Sequence, residues 1–222
     1  MYIWIRRWAI RLFLPIRWRL SRRRPARALA EFAATEADSG WQFLRAIDRL
    51  EKPEHRALLF HNLLEEKEHA YLFRDLVRRL PGGRAPIAQA ERKALIDEEG
   101  GLSAFLAYVC AGEMDIAREF EAYAKASSVP EARALFEHVL CDEDGHHDVL
   151  WNTLVDELGD EVEAKVLLGR ARRQRIWRAW LRFSKRMGDT LLGVWLFAIY
   201  LVFGPLLFVA SRRRVLEGVR QG

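Results

Sequence analysis

The chain has only two cysteines in 222 residues, Cys110 and Cys141, too few for a disulfide framework and too far apart for a C-x-x-C metal knuckle. Both lie in helical stretches, which suits a reduced compartment. No segment alternates apolar and polar residues with period two over the length of a strand, so no strand is expected. Acidic residues are missing from the first 25 positions, and only Asp189 and Glu217 lie beyond Lys165. A secretory signal is not expected, with Arg6-Arg7 as a twin-arginine export signal the alternative. No run of seven apolar residues escapes interruption by Arg6, Arg7, Arg11 or Arg17, and no small-residue cleavage site follows.

The charge that is present is segregated. Between Ala26 and Lys165 lie 29 of the 31 acidic residues with only 16 Lys and Arg, so this segment carries about −13 while the whole chain is +5. An acidic module held by basic ends suits an anionic surface. The apolar character of the ends points to lipid. Residues 1–25 mix Trp4, Trp8, Phe13 and Trp18 with eight arginines and read as a basic amphipathic segment on anionic lipid. Residues 161–189 read as a basic interfacial helix containing Trp177 and Trp180. From Thr190 to Ala210, 21 residues carry no charge, and residues 190–211 are predicted to form a transmembrane helix followed by a basic tail over 212–222. Basic residues are denser before this span than after it, so a single-pass protein with its folded domain on the cytoplasmic side is expected. A nucleic-acid partner is not, because the folded segment is acidic and would repel phosphate.

Residues 26–160 have helical periodicity throughout. Helices are predicted over about Pro25–Leu50, Pro53–Leu80, Leu102–Ala126 and from Pro130 to Leu158, with breaks at Lys52-Pro53, Pro81-Gly82-Gly83 and Ser127-Ser128-Val129-Pro130. Two short turns make two antiparallel hairpins, and the long connection Pro81–Gly101 is sufficient to cross the length of a bundle. The expected fold is therefore all-α: an antiparallel four-helix bundle with one long crossover.

Each helix has one apolar stripe, and each stripe is interrupted by a glutamate: Glu36, Glu66, Glu113 and Glu143. Four carboxylates at one depth of an apolar core require compensating positive charge. Two of them open the spacing Glu-x-x-His, Glu66 with His69 and Glu143 with His146. Residues i and i+3 share a helix face, so each motif can offer a carboxylate and an imidazole to one ion. Four carboxylates and two imidazoles suit a pair of Fe ions, with Mn the alternative, better than Zn. Glu31 is the alternative to Glu36, and His147 the alternative or neighbour to His146. Asp142 and Glu65, each preceding a ligand glutamate, are either solvated charges or acceptors for the second N–H of the opposite histidine. Cys110, one turn before Glu113, is either a small core residue or a neighbour of the site. His55, His61 and His138 fall outside the pattern as surface or structural residues.

With these motifs, and with the stretch LLEEKEHAYLFRDL at residues 63–76, the chain resembles the ferritin-like di-iron carboxylate proteins, in particular the rubrerythrin-like ones, over about Arg27 to Leu158. The resemblance implies Glu36, Glu66, His69, Glu113, Glu143 and His146 as ligands. Ile116 stands where rubrerythrin-like sites commonly have a further carboxylate, which implies the six-ligand version. No rubredoxin-like iron domain is present, so electrons would come from Fe(II), a partner protein or a bound reductant. The function implied is a membrane-anchored oxidoreductase reacting with O2 or peroxide, in iron handling or protection against oxidation. The alternatives are hydroxylation of a membrane lipid or quinone, which the demethoxyubiquinone hydroxylases suggest, and a non-enzymatic adaptor stapled by metal. A homodimer is compatible with either.

Overall fold

The computed structural model describes residues 2–21, 23–83 and 94–220, without the side chains of 2–7, 144, 202 and 204–220. Among the described residues every regular element is a helix: α1 (Tyr2–Leu20), α2 (Arg23–Ile47), α3 (Pro53–Arg79), α4 (Leu95–Glu98), α5 (Leu102–Ala126), α6 (Pro130–Leu158) and α7 (Glu161–Arg220). The all-α expectation holds, and proline or glycine stands at the starts of α3 and α6 and at the end of α6. Pro53 and Pro130 start α3 and α6, where the missing N–H has no intrahelical acceptor to lose. Gly159 ends α6 in the left-handed region at φ 68°, with its N–H donating to the Val155 carbonyl at 2.8 Å.

The chain divides into two units, Met1–Arg173 and Gln174–Gly222. The first unit has two buried apolar clusters. One contains Phe43 and Ala46 of α2, Leu59 and Leu63 of α3, Phe105 and Leu106 of α5, and Leu150 and Leu154 of α6. The other takes Leu29 and Ala33 from α2, Phe73 and Val77 from α3, Phe120 from α5, and Phe136 and Val139 from α6. Chain direction follows from this membership. Helix α2 runs from the second cluster to the first, α3 returns, α5 repeats the direction of α3, and α6 returns again. Leu80, after α3, packs on the second cluster, and Ile96 of α4 lies in the first.

Two elements add to the packing from outside the stretch 26–160. Leu14 and Trp18 of α1 are buried in the second cluster, so the amino-terminal segment packs on α5 and α2 in addition to showing apolar residues outward. Ala164, Leu168 and Ala171 of α7 are buried in the first cluster, so the basic segment 161–189 begins as part of the folded unit. The apolar periodicity of both stretches was masked by their arginines, whose apolar stems can cover neighbouring surface while the charge stays in water.

The second unit lies within α7 and has exposed Trp177, Trp180, Leu191, Trp195, Phe197 and Tyr200. Among the described residues no helix is long and apolar enough to cross a membrane. The predicted span falls partly on residues 202 and 204–210, and the basic tail on 212–222; their side chains lie outside the described residues.

The second cluster is dominated by aromatic rings. Phe32 meets Phe136 edge-on at 5.3 Å and Tyr123 at 4.9 Å, and Phe136 lies 5.7 Å from Phe120. Phe136 is fully buried. Phe136→Ala is expected to destabilise the unit by about 3–5 kcal/mol, measured as the shift of a denaturant midpoint at constant slope. A loss below about 1 kcal/mol would show that these rings do not hold the four helices together.

Candidate metal centre

The four core glutamates and two histidines come together between the two apolar clusters. Glu36, Glu66, His69, Glu113, Glu143 and His146 are each 1–4% exposed. Two overlapping groups have donor atoms within 4.8 Å of one another: Glu66, Glu113, Glu143 and His146 in one, and Glu36, Glu66 and His69 in the other. Glu66 belongs to both. Glu143 faces both histidines, with Oε1 lying 3.9 Å from His69 Nδ1 and Oε2 lying 3.7 Å from His146 Nδ1. The remaining approaches are His69 Nδ1 to Glu36 Oε2 at 3.9 Å and His146 Nδ1 to Glu66 Oε1 at 3.5 Å.

The outer nitrogens of both rings are taken. His69 Nε2 donates to Asp142 Oδ2 at 3.0 Å, and His146 Nε2 donates to Glu65 Oε2 at 2.8 Å. These are the crossed pairings that the sequence left open, and each leaves Nδ1 turned inward. Glu36 Oε1, Glu66 Oε2, both oxygens of Glu143 and the Nδ1 atoms of His69 and His146 are buried without a hydrogen-bond partner. Orphaned acceptors in an apolar interior cost several kcal/mol each.

Their electrostatics follow from that crowding. Burial, then neighbouring carboxylates, hold two carboxyls well above the usual range: Glu66, Glu143 and Glu113 act on Glu36, and Glu143 and Glu66 act on Glu113. Burial alone would lower the pKa of His146, but the approach of the Glu143 and Glu66 carboxylates outweighs it and raises the ring to about 11. In the metal-free chain this crowding favours the protonated forms of Glu36, Glu113 and His146. The donor set fits metal. Four carboxylates balance two divalent cations, and separations of 3.5–3.9 Å fall within the span of about 4.2 Å open to two ligands each about 2.1 Å from one ion.

No family model, curated protein or solved structure matches the chain. The site must therefore be read from its own chemistry.

The alternatives weighed from the sequence separate cleanly. Glu31 is exposed and pairs with Arg27 at 3.4 Å, away from the cluster. His147 turns to Cys110, with Nδ1 3.3 Å from its sulfur. Cys110 is buried, its thiol is pushed up to about 12 by burial and by Glu113, and its sulfur is not among the clustered donor atoms. His55 is buried, with its ring nitrogens 3.0 Å from Glu157 and 3.2 Å from Asp156, and so ties the start of α3 to the end of α6. His61 is exposed and reaches Glu65 Oε1 at 3.3 Å, and His138 is exposed.

Two positioning residues escaped sequence reasoning. Lys67 folds back to donate to the Ala37 carbonyl at 2.8 Å, and its chain passes over Gly40. A Cβ at Gly40 would stand 3.1 Å from Lys67 Cε and 3.3 Å from Glu66 Cβ. Gly40 therefore lets α2 and α3 approach closely beside Glu66. The signal was the glycine in an otherwise large-residue stripe.

Two outcomes are expected. Groups whose folded pKa is raised stabilise the fold below their unfolded value and lose that contribution as pH rises through the folded value. For Glu36 and Glu113 the loss begins above 4.5, and for His146 it runs from 6.5 to about 11. Metal-free protein should melt lower at about pH 8 than at about pH 6, and Glu113→Gln should raise the metal-free Tm at about pH 8 by a few degrees. A flat profile and an unmoved Tm would contradict this electrostatic picture. Separately, Asp142→Ala and Glu65→Ala should each weaken metal binding about 10–100-fold in competition with a chelator while the helical spectrum is unchanged; undiminished affinity would leave these carboxylates as bystanders.

Proposed function

We propose that this chain is a membrane-anchored di-iron protein of the ferritin-like, rubrerythrin-like kind that reacts with O2 or peroxide. In this reading α2, α3, α5 and α6 form an antiparallel four-helix bundle with one long crossover, and α7 carries the membrane anchor. One observation carries the proposal: six buried donor groups from four helices turn toward one another, and most of their inward atoms have no other partner. Such a set has little purpose in a core except to neutralise cations.

The residues divide into roles. Glu36 and His69 would hold one ion, Glu113 and His146 the other, with Glu66 and Glu143 between them. Iron in this position, when bound, supplies two electrons to an oxidant. Asp142 and Glu65 orient the two imidazoles and draw on their Nε2 protons. The apolar clusters on either side exclude bulk water and keep the helices from relaxing apart under the repulsion of their carboxylates.

Membrane attachment is supported by the uncharged run Thr190–Ala210 and by the exposed tryptophans and arginines of α7 that precede it. Exposed indole and aliphatic side chains spaced along a helix with Arg178, Arg182 and Arg186 suit the headgroup level.

Metal analysis of detergent-purified protein should give about two Fe per chain, and combined Glu113→Ala and Glu143→Ala should abolish it. Manganese at the same stoichiometry would keep the site and change the metal. Rapid mixing of the Fe(II) form with O2 or peroxide should give oxidation that the double variant lacks; a loaded but inert form would refute the redox role and leave the metals structural. Extracts of cells lacking the protein would accumulate an unhydroxylated lipid or quinone only if the chain is a hydroxylase.

A further inference from the structure

We infer that the cleft between α1, the start of α2 and α5 binds the phosphate group of an acidic lipid. It has a volume of about 480 Å³, within the range of small-ligand sites. Its lining divides by chemistry. Leu14, Trp18, Ala28 and Tyr123 form an apolar side, and Arg17, Arg24 and Arg27 a cationic side with Glu31 as the one acid. Packing fixes the apolar side: Leu14 and Trp18 are buried, and the Trp18 ring lies 6.2 Å from that of Tyr123.

The cations are not all spoken for. Arg27 Nε donates to Glu31 at 3.4 Å. Among the described residues, Arg17 and Arg24 have no carboxylate partner. Two guanidinium groups brought to one cleft by two different helices repel each other, and an anion between them removes that repulsion. Their planar donor forks match phosphate oxygens. Arg17 and Arg24 belong to the first 25 residues, which contain eight arginines and no acid, and Arg27 follows at the start of the acidic segment.

A free phosphate would account for the arginines but not for the apolar wall. The outer face of α1 decides in favour of lipid. Trp8, Leu12, Ile16 and Leu20 recur at steps of four, all exposed, on the side of the helix away from Leu14 and Trp18. Helix α1 thus has one face seated on the folded unit and another apolar face uncovered, with Arg17 between them. A helix so arranged can enter the headgroup layer while the cleft beneath it takes one phosphate. This inference rests on the reading that the chain lies at a membrane.

Isothermal titration of the full chain in neutral detergent with dihexanoyl phosphatidylglycerol, dihexanoyl phosphatidylcholine and inorganic phosphate tests it. The acidic lipid should bind saturably, and the choline lipid about tenfold more weakly or not at all. The exposed pair Arg17→Gln and Arg24→Gln should weaken the acidic lipid about tenfold or more while iron content is unchanged. Absence of saturable binding, binding indifferent to the two arginines, or inorganic phosphate binding as tightly as the lipid would each overturn the proposal. Recovery of the chain in the membrane fraction of cells is scored separately. A chain absent from that fraction overturns the membrane reading, and the lipid with it. A chain present there that shows no arginine-dependent binding overturns the cleft alone.

Discussion

Carboxylates from four helices share one small apolar volume, and the rest of the structure is organised around that unfavourable act. Water would solvate Glu36, Glu66, Glu113 and Glu143 far better than the interior does. They stay because the apolar clusters on both sides, rich in Phe73, Phe105, Phe120 and Phe136, hold the helices in contact. The burial of these rings offsets the cost, and the clusters are positioned to do so, one on each side along the helix axes. A bundle-like unit with its centre replaced by Leu would have no need of protons or metals to keep its core neutral.

Placement of the second layer of carboxylates follows the same logic. Asp142 and Glu65 precede Glu143 and Glu66 in sequence, but each serves a histidine on the facing helix. The crossing ties α3 to α6 by two reciprocal hydrogen bonds and fixes which nitrogen of each ring looks inward. His55, bonded to Asp156 and Glu157, repeats the α3 to α6 tie nearer the end of the unit. Stability and site geometry thus depend on the same pair of helices. Substitutions that ease the charge at the centre should favour the fold and harm metal binding, the usual opposition between a relaxed core and a working site.

Basic and acidic residues are separated along the chain. The acidic segment encloses the centre, while arginines gather on α1 and α7 beside exposed aromatic residues. On α1 the arrangement has a further consequence. Trp18 and Leu14 are used for packing, which leaves Arg17 and Arg24 at a cleft with an apolar wall. The same helix therefore belongs to the folded unit and also shows an uncovered apolar face.

Much of the fold was legible in the sequence because its signals are local. Proline and glycine mark helix ends through backbone geometry that needs no partner, and a stripe of period 3.6 marks a buried face wherever the helix docks. That is why Glu36, Glu66, Glu113 and Glu143 stood out as charges on faces that ought to be apolar, and why the i, i+3 spacing added His69 and His146. Other features depended on what lies across the gap between helices. Whether Asp142 and Glu65 face water or a histidine, whether His147 turns to the centre or to Cys110, and why Gly40 must be small are decided by neighbours distant in sequence. The burial of Trp18 and Leu168 belongs with these, because an amphipathic helix rich in arginine looks the same from its sequence whether it lies on lipid or on protein. Periodicity determined which residues point the same way, and only tertiary packing decided what they point at.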